Sequence, residues 1–417
     1  MFSEEQLFTQ SGELVEVIQL GEHNLHAGPD FLNARIRIGP TIWVGNIEIH
    51  IHSSDWYHHG HHHDKAYDNV IMQVVLNHNQ EVRRSNREII PTVELQFDSN
   101  LFLHYQQLLE NESWIPCEKE IEGVDRSIID FWLSSLTIER LEIKSLEIED
   151  NLRDNQNHWE TTFYHKLARN FGFKVNGEPF ELLARSLPLQ HIARHKDNLL
   201  QLEALFFGQA GFLGQKRLDD GYHSQLFDEY TYLRNKFQLK PLAKHIWRFA
   251  KLRPVNFPTI RIAQFCILLH QSSRLFSEIL EKKSLEALKR SFAVRPSPYW
   301  DTHYSFHRPG VYKPKRLGEE AFQILVINTV VPFLFVYGKA QNIPAYKERA
   351  LDFLLEMQPE NNSIIRGWAD LGIKAPNAYH SQALIQLKNA YCDNHRCLDC
   401  QIGNNILNHP KSEGFPI

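Results

Sequence analysis

Gly45-Asn46-Ile47-Glu48-Ile49-His50-Ile51-His52 is the stretch on which the reading of the first part of this chain turns. Side chains alternate between the two faces of a β-strand. A strand over residues 42–52 therefore sends Ile47, Ile49 and Ile51 toward a core and lines up Asn46, Glu48, His50 and His52 on the opposite face. A row of ionisable groups on a strand inside an apolar domain is costly unless it meets a cleft, a metal or paired charges. Just upstream, residues 31–38 alternate, with Ala34, Ile36 and Ile38 on one side and Arg35 and Arg37 on the other. Gly39-Pro40 then breaks the run as a hairpin turn does. That hairpin brings Asp30, at the start of its first arm, toward Glu48.

Outward from the hairpin, strands are expected at 14–20, at 70–76 (a nearly continuous apolar run, suited to a strand buried on both faces) and at 89–97, and a helix at 101–110. From Asp125 the apolar period becomes helical, as Ile128, Ile129, Trp132, Leu133, Leu136, Leu141 and Leu152 show. Further helices are expected at 158–170, 199–207, 224–236, 259–269, 275–292, 319–336, 345–356 and 381–391. Gly172, Gly177-Glu178-Pro179, Pro296-Ser297-Pro298 and Arg308-Pro309-Gly310 serve as separators. The fold class is α+β: a small mixed α/β domain over 1–117, then a large α-helical domain over 118–417.

Composition sets the outer bounds. The chain has 417 residues, 42 % of them hydrophobic and 23 % charged, with 26 Phe, 14 Tyr and 8 Trp, which suits a folded protein with ample core. A net charge of −5 excludes a polycation, so nucleic-acid contact has to come from local patches. Met1 to Gln6 lack the basic and apolar runs of a signal peptide. The most apolar segment, 322–337, is shorter than the roughly 20 residues that span a bilayer, so it reads as a core helix. Five Cys in a chain of this length do not make a disulfide scaffold. A cytoplasmic protein with no membrane partner is expected, and the sequence carries no signal for its oligomeric state.

Pro29-Asp30 at the start of one hairpin arm, and Glu48-Ile49-His50 on the other, resemble the PD-(D/E)xK nuclease superfamily. The expected order of elements agrees: a short helix, a strand, the hairpin, a helical connection and another strand. The resemblance implies metal-dependent cleavage of a nucleic-acid phosphodiester. Asp30, Glu48 and the Ile49 carbonyl would hold Mg²⁺ or Mn²⁺, which activates water and stabilises the charge on phosphorus. The family has Lys where this chain has His50. His50 would orient or deprotonate water, and Lys65 would restore the missing charge if it reaches back. Three other readings stay open: a binding module that keeps the fold without the chemistry, an exposed polar face that happens to carry His, and a cupin-like site built on His50-Ile51-His52. Seven of the 23 His fall between His50 and His63. Those in His58-His59-Gly60-His61-His62-His63 are read as a solvated loop, or as a loop that supplies one or two metal or phosphate contacts.

Two features lie further along. Cys392, Cys397 and Cys400, with His395 or the distant Cys117 as fourth ligand, suit Zn²⁺ or an iron–sulfur cluster. The alternative is a set of reduced thiols in a helix-capping turn. Arg248, Lys251, Arg253 and Arg261 interleave with Trp247, Phe249 and Phe257, and Tyr312-Lys313-Pro314-Lys315-Arg316 is a second basic run. Such stretches suit phosphate contact and base stacking, or an ordinary solvated surface. Over nearly its whole length the chain also resembles an uncharacterised bacterial domain-of-unknown-function family. That likeness rests on Gly28-Pro29-Asp30-Phe31, Gly45 to His50, Ser54-Asp55-Trp56, the segment from Arg253-Pro254 to Arg261 and the final cysteines, and it implies no activity.

Overall fold

A computed structural model describes residues 6–24, 26–96, 99–214, 219–272 and 274–409. Its N-terminal strands are β1 (Leu7–Phe8), β2 (Leu14–Gln19), β3 (Glu22–His23), β4 (Phe31–Ile38), β5 (Thr41–His52), β6 (Val70–Asn77) and β7 (Thr92–Glu94). They form one mixed sheet in the order β1-β2-β4-β5-β6-β7, with β3 pairing on β4. Pairing is antiparallel up to β5 and parallel from β5 to β7. Gly39 (φ +53°) and Pro40 make the two-residue hairpin turn, with Ile38 opposite Thr41. The strand expected at 89–97 is reduced to Thr92–Glu94: Ile89 instead bridges to Arg83, and Phe97 lies outside the described residues. Among the described residues, 6–13 ahead of β2 hold no helix, and residues 1–5 lie outside the description.

Beyond Ile47 the two faces of β5 are the reverse of what alternation suggests. Ile49 and Ile51 are 45 % and 62 % exposed, whereas Glu48 and His50 are 6 % and 7 % exposed. The cause is the parallel pairing. A connection between parallel strands has to cross over one face of the sheet. Here residues 53–69 make that crossing as a short helix (Asp55–His58) and two 3-10 turns (His61–His63 and Lys65–Tyr67). They carry the buried Trp56 and Tyr67, and His61 stacks on His50, so the polar row is the one that gets covered. Gly45 marks the place where β5 meets β6. A Cβ there would fall 2.5 Å from Ile71 Cγ2 and 2.6 Å from the Asn69 carbonyl oxygen.

The chain divides into two compact units, one up to Asn111 joined by residues from Gly403, the other Glu112–Ile402. The second unit is helical. Its first long helix, Arg126–Asp154, is N-capped by Asp125, which accepts from the Ser127 N–H. The run expected at 275–292 is two helices, Leu275–Glu281 and Leu285–Ser291, because Ser284 caps the second. Gly177-Glu178-Pro179 is no separator. It lies inside Phe173–Ser186, just after a break at Asn176, where the missing N–H of Pro179 falls in a first turn and costs little. The apolar segment is longer than expected. Its helix runs Glu319–Ala340, 22 residues, long and apolar enough to cross a membrane, yet 78 % of its most apolar window is buried within the protein. Pro332 has no N–H to give to the Asn328 carbonyl. The helix widens to a π-turn over Val326–Val330, and the Asn170 side chain donates to that carbonyl at 2.9 Å.

Glu203, on helix Leu199–Gln209, is 1 % exposed and accepts from Tyr222 Oη (2.6 Å) and Ser297 Oγ (3.1 Å). Burial outweighs those two bonds and pushes its carboxyl up to about 7. The folded state thus prefers the protonated form. That contribution is full below the ordinary value of 4.5 and is lost as pH rises through about 7. Urea unfolding across this window should show the wild type losing stability with rising pH relative to Glu203→Gln, and a parallel pair of profiles would refute the assignment. Gly45→Ala should cost the first unit roughly 1–3 kcal/mol by overpacking against β6, read as a lower urea midpoint for that unit's transition.

Candidate metal centre

In the parallel register Glu48 lies beside Gln73 and His50 beside Val75. Glu48 Oε2 accepts from the Asp30 N–H at 3.2 Å, and Asp30 Oδ2 accepts from the Ile49 N–H at 2.8 Å. This reciprocal clasp ties the start of β4 to the middle of β5, where the β4–β5 register shifts. The other oxygen, Glu48 Oε1, lies 3.3 Å from His61 Nε2 and 3.5 Å from His50 Nε2. His59 completes the group: one ring nitrogen each from His50, His59 and His61 lies within 4.8 Å of the others. His50 is buried, His61 half-buried and His59 exposed, so the centre opens to solvent on the His59 side. His61 is held by stacking on Tyr67 (3.8 Å between centroids) and by the edge of Trp56. Gly60, at φ +76°, turns the chain between His59 and His61.

The electrostatics follow from burial without a cation. Among the described residues the Glu48 carboxylate meets imidazoles and an N–H, and no Lys or Arg side chain. Burial, and then the charge of Asp30, push it up to about 7 against the pull of the Asp30 N–H. Burial, then His61 and His59, push His50 down to about 4, and burial and His59 also lower His61. At neutral pH these two imidazoles are uncharged, the form that binds metal. His50 Nε2 and His61 Nε2 are buried without a hydrogen-bond partner. Orphaned imidazole nitrogens around a buried carboxylate fit a divalent transition metal. Gln73 decides which nitrogen His50 presents. Its Nε2 lies 2.7 Å from His50 Nδ1, which leaves the imidazole proton on Nε2, facing Glu48. Metal binding at Nε2 requires this amide turned over, so that Oε1, which has no partner here, accepts from Nδ1–H, and the Gln73 Nε2 gives up the Ser53 carbonyl it meets at 3.3 Å.

Of the residues singled out in the sequence, Asp30, Glu48, Ile49 and His50 come together, with Ile49 contributing its N–H to Asp30. His52 is exposed at the strand end, its N–H on Asp55. Lys65 is exposed in the second 3-10 turn and is not among the side chains that meet Glu48. His59 and His61 come from the run read as a solvated loop or as one that supplies a metal contact, and they group with His50; Gln73, not singled out in the sequence, meets His50 as well. The available signal for them was a pair of His flanking a glycine in the segment that has to cross the sheet.

In the second unit, Arg248, Lys251 and Arg253 are exposed. Arg261 is 7 % exposed and turned inward, bonded to Asn256 and Gln264 and stacked over Phe173, so it is no surface contact. The interleaved aromatics also point in: Trp247 donates to the Ala210 carbonyl and packs edge-on against Phe180, while Phe249 meets Phe257. In the second basic run Lys315 is buried, donating to the Asp301 and Lys313 carbonyls. Cys117, Cys392, Cys397 and Cys400 converge, whereas His395 is exposed.

No curated protein and no solved structure matches the chain. A family model described as a protein of unknown function, DUF2851, matches residues 1–363 and so includes the whole N-terminal centre but stops short of Cys392 to Cys400. The chain belongs to the DUF2851 family of proteins of unknown function.

Proposed function

We propose that the N-terminal unit is a metal-dependent phosphodiesterase centre of nuclease type, with His50, His59 and His61 as metal ligands beside the Glu48 and Asp30 carboxylates. The observation that carries this reading is the buried Glu48, faced by two imidazole nitrogens that have no other partner. An imidazole-rich donor set favours Mn²⁺ over Mg²⁺, which prefers oxygen ligands. A bound divalent ion would supply Lewis-acid polarisation of a phosphoryl oxygen and a more acidic water. Burial holds the Glu48 carboxyl near 7 with no ion present; a divalent ion beside it would lower that value and keep Glu48 as the carboxylate at neutral pH, the form that accepts a proton. The Asp30 clasp fixes Glu48 in place, and Gln73 fixes the His50 ring. The exposed His59 side is where substrate would enter. Arg248, Lys251 and Arg253, exposed on the second unit, would offer local phosphate contacts.

A second reading has its own support. The Lys of the nuclease motif is replaced by His50, which is uncharged at neutral pH, and Lys65 does not meet Glu48. A centre that binds metal without cleaving anything fits that missing charge. Mn²⁺ binding, followed by equilibrium dialysis, together with DNA and RNA cleavage, separates the two. Under the first reading the wild type cleaves with Mn²⁺, and Asp30→Ala and Glu48→Ala do not. Gln73→Leu should weaken Mn²⁺ binding roughly 10–100-fold, as loss of a ligand-orienting partner does, while Lys65→Ala leaves it unchanged. Tight binding without cleavage selects the second reading. Absence of Mn²⁺ binding defeats both, and equal cleavage by all variants identifies a contaminant.

A further inference from the structure

The second unit contains a group of side chains that the N-terminal centre does not use. Cys117 sits in the turn that follows Trp114-Ile115-Pro116, its carbonyl accepting from the Glu120 and Ile121 N–H groups. Cys392 ends a π-turn, Leu387–Cys392, and Cys397 and Cys400 close the loop that follows. Cys117, Cys397 and Cys400 are each at most 7 % exposed, and Cys392 is half-buried. Although Cys117 is separated from the other three by well over half the chain, each of the four thiols is an electrostatic neighbour of the other three. Burial, and then those neighbours, push Cys117 and Cys392 up, and burial and Cys400 push Cys397 up to about 11.

Four converging buried thiols are the full donor set of either a single tetrahedral zinc ion or an iron–sulfur cluster. Spacing separates them. With Zn–S bonds near 2.3 Å, four sulfurs around one ion lie about 3.8 Å apart. Here, among the described residues, no three of the cysteine sulfurs fall within 4.8 Å of one another. A [4Fe–4S] cluster sets each thiolate on its own iron and holds the sulfurs further apart than one zinc ion does. Cys392, Cys397 and Cys400 supply three of the four thiols from one short loop. Lys388 and Arg396 flank the loop, and their charges are met within it, Lys388 by Asp393 and Arg396 by Asp399. His395 stands exposed at the loop tip with φ +51°, which leaves the fourth position to Cys117.

We propose that Cys117, Cys392, Cys397 and Cys400 hold an iron–sulfur cluster in the helical unit. A preassembled cluster is handed over by a thiolate carrier: each Cys sulfur replaces a carrier thiolate on iron, its proton passes to the thiolate that leaves, and no iron changes oxidation state. This proposal is independent of the N-terminal centre. The test is full-length protein purified without oxygen and reconstituted with ferric iron, sulfide and a thiol reductant, with iron, zinc and acid-labile sulfide measured and visible absorption recorded. Expected are bound iron and sulfide in equal amounts with broad visible charge-transfer absorption. Cys117→Ser and Cys397→Ser should both lose them, and His395→Ala should keep them. The wild-type metal analysis is decisive even where a serine variant fails to fold. Zinc bound without iron, or four thiols that react freely with a thiol reagent after reconstitution, would overturn the proposal. Loss of iron in His395→Ala with retention in Cys117→Ser would overturn the ligand set.

Discussion

A carboxylate in the middle of a sheet, with no Lys or Arg against it among the described residues, governs the architecture of the first unit. Glu48 is buried on β5, and desolvation penalises its charge. The surrounding structure answers that cost with polar contacts in place of a counter-ion. The Asp30 N–H takes one oxygen and two imidazoles face the other. Those contacts in turn fix the start of β4, the path of the crossing segment and the stack of His61 on Tyr67. Gly45 is part of the same arrangement, because only a residue without Cβ lets β5 and β6 approach closely enough to set Glu48 beside Gln73.

The strands and most helices of this chain are written in local patterns. Alternation over 31–38, the Gly39-Pro40 turn and the helical period after Asp125 each depend on a handful of neighbouring residues. The orientation of β5 is not local. Three isoleucines argue for one inward face, but the face that is covered is set by where the crossing segment packs, and that segment brings Trp56 and Tyr67 to the polar side. His59 and His61 were legible only as members of a loop that would supply a contact, for the same reason: their approach to His50 comes from a crossing that no single window of sequence displays. Glu48, His50 and Asp30 were legible because ionisable groups on a strand are rare enough to stand out alone.

The second unit shows a related division between composition and context. In the stretch from Trp247 to Arg261 the alternation of basic and aromatic residues looked like a ligand surface. Packing sorts it instead. Trp247 goes into the core, Arg248, Lys251 and Arg253 stay in water, and Arg261 is buried by a network of amides and an aromatic face. The helix Glu319–Ala340 makes the same point for hydropathy: an apolar run of bilayer length serves here as the interior of a helical body. Its Pro332 is accommodated by a side chain from another helix, Asn170, so the tolerance of that proline is a property of the packed unit.

The placement of the four cysteines has a consequence for how the protein is made. The second unit runs from Glu112 to Ile402, so Cys117 stands near its beginning and Cys400 at its end. A ribosome delivers Cys117 long before Cys392, and the helices between them are synthesised first. The four thiols meet only when the last helices have docked, since closing so long a loop before then costs entropy with no contacts to offset it. The convergence therefore works as a completion mark: a chain stalled between Cys117 and Cys392 holds, of the four thiols, Cys117 alone.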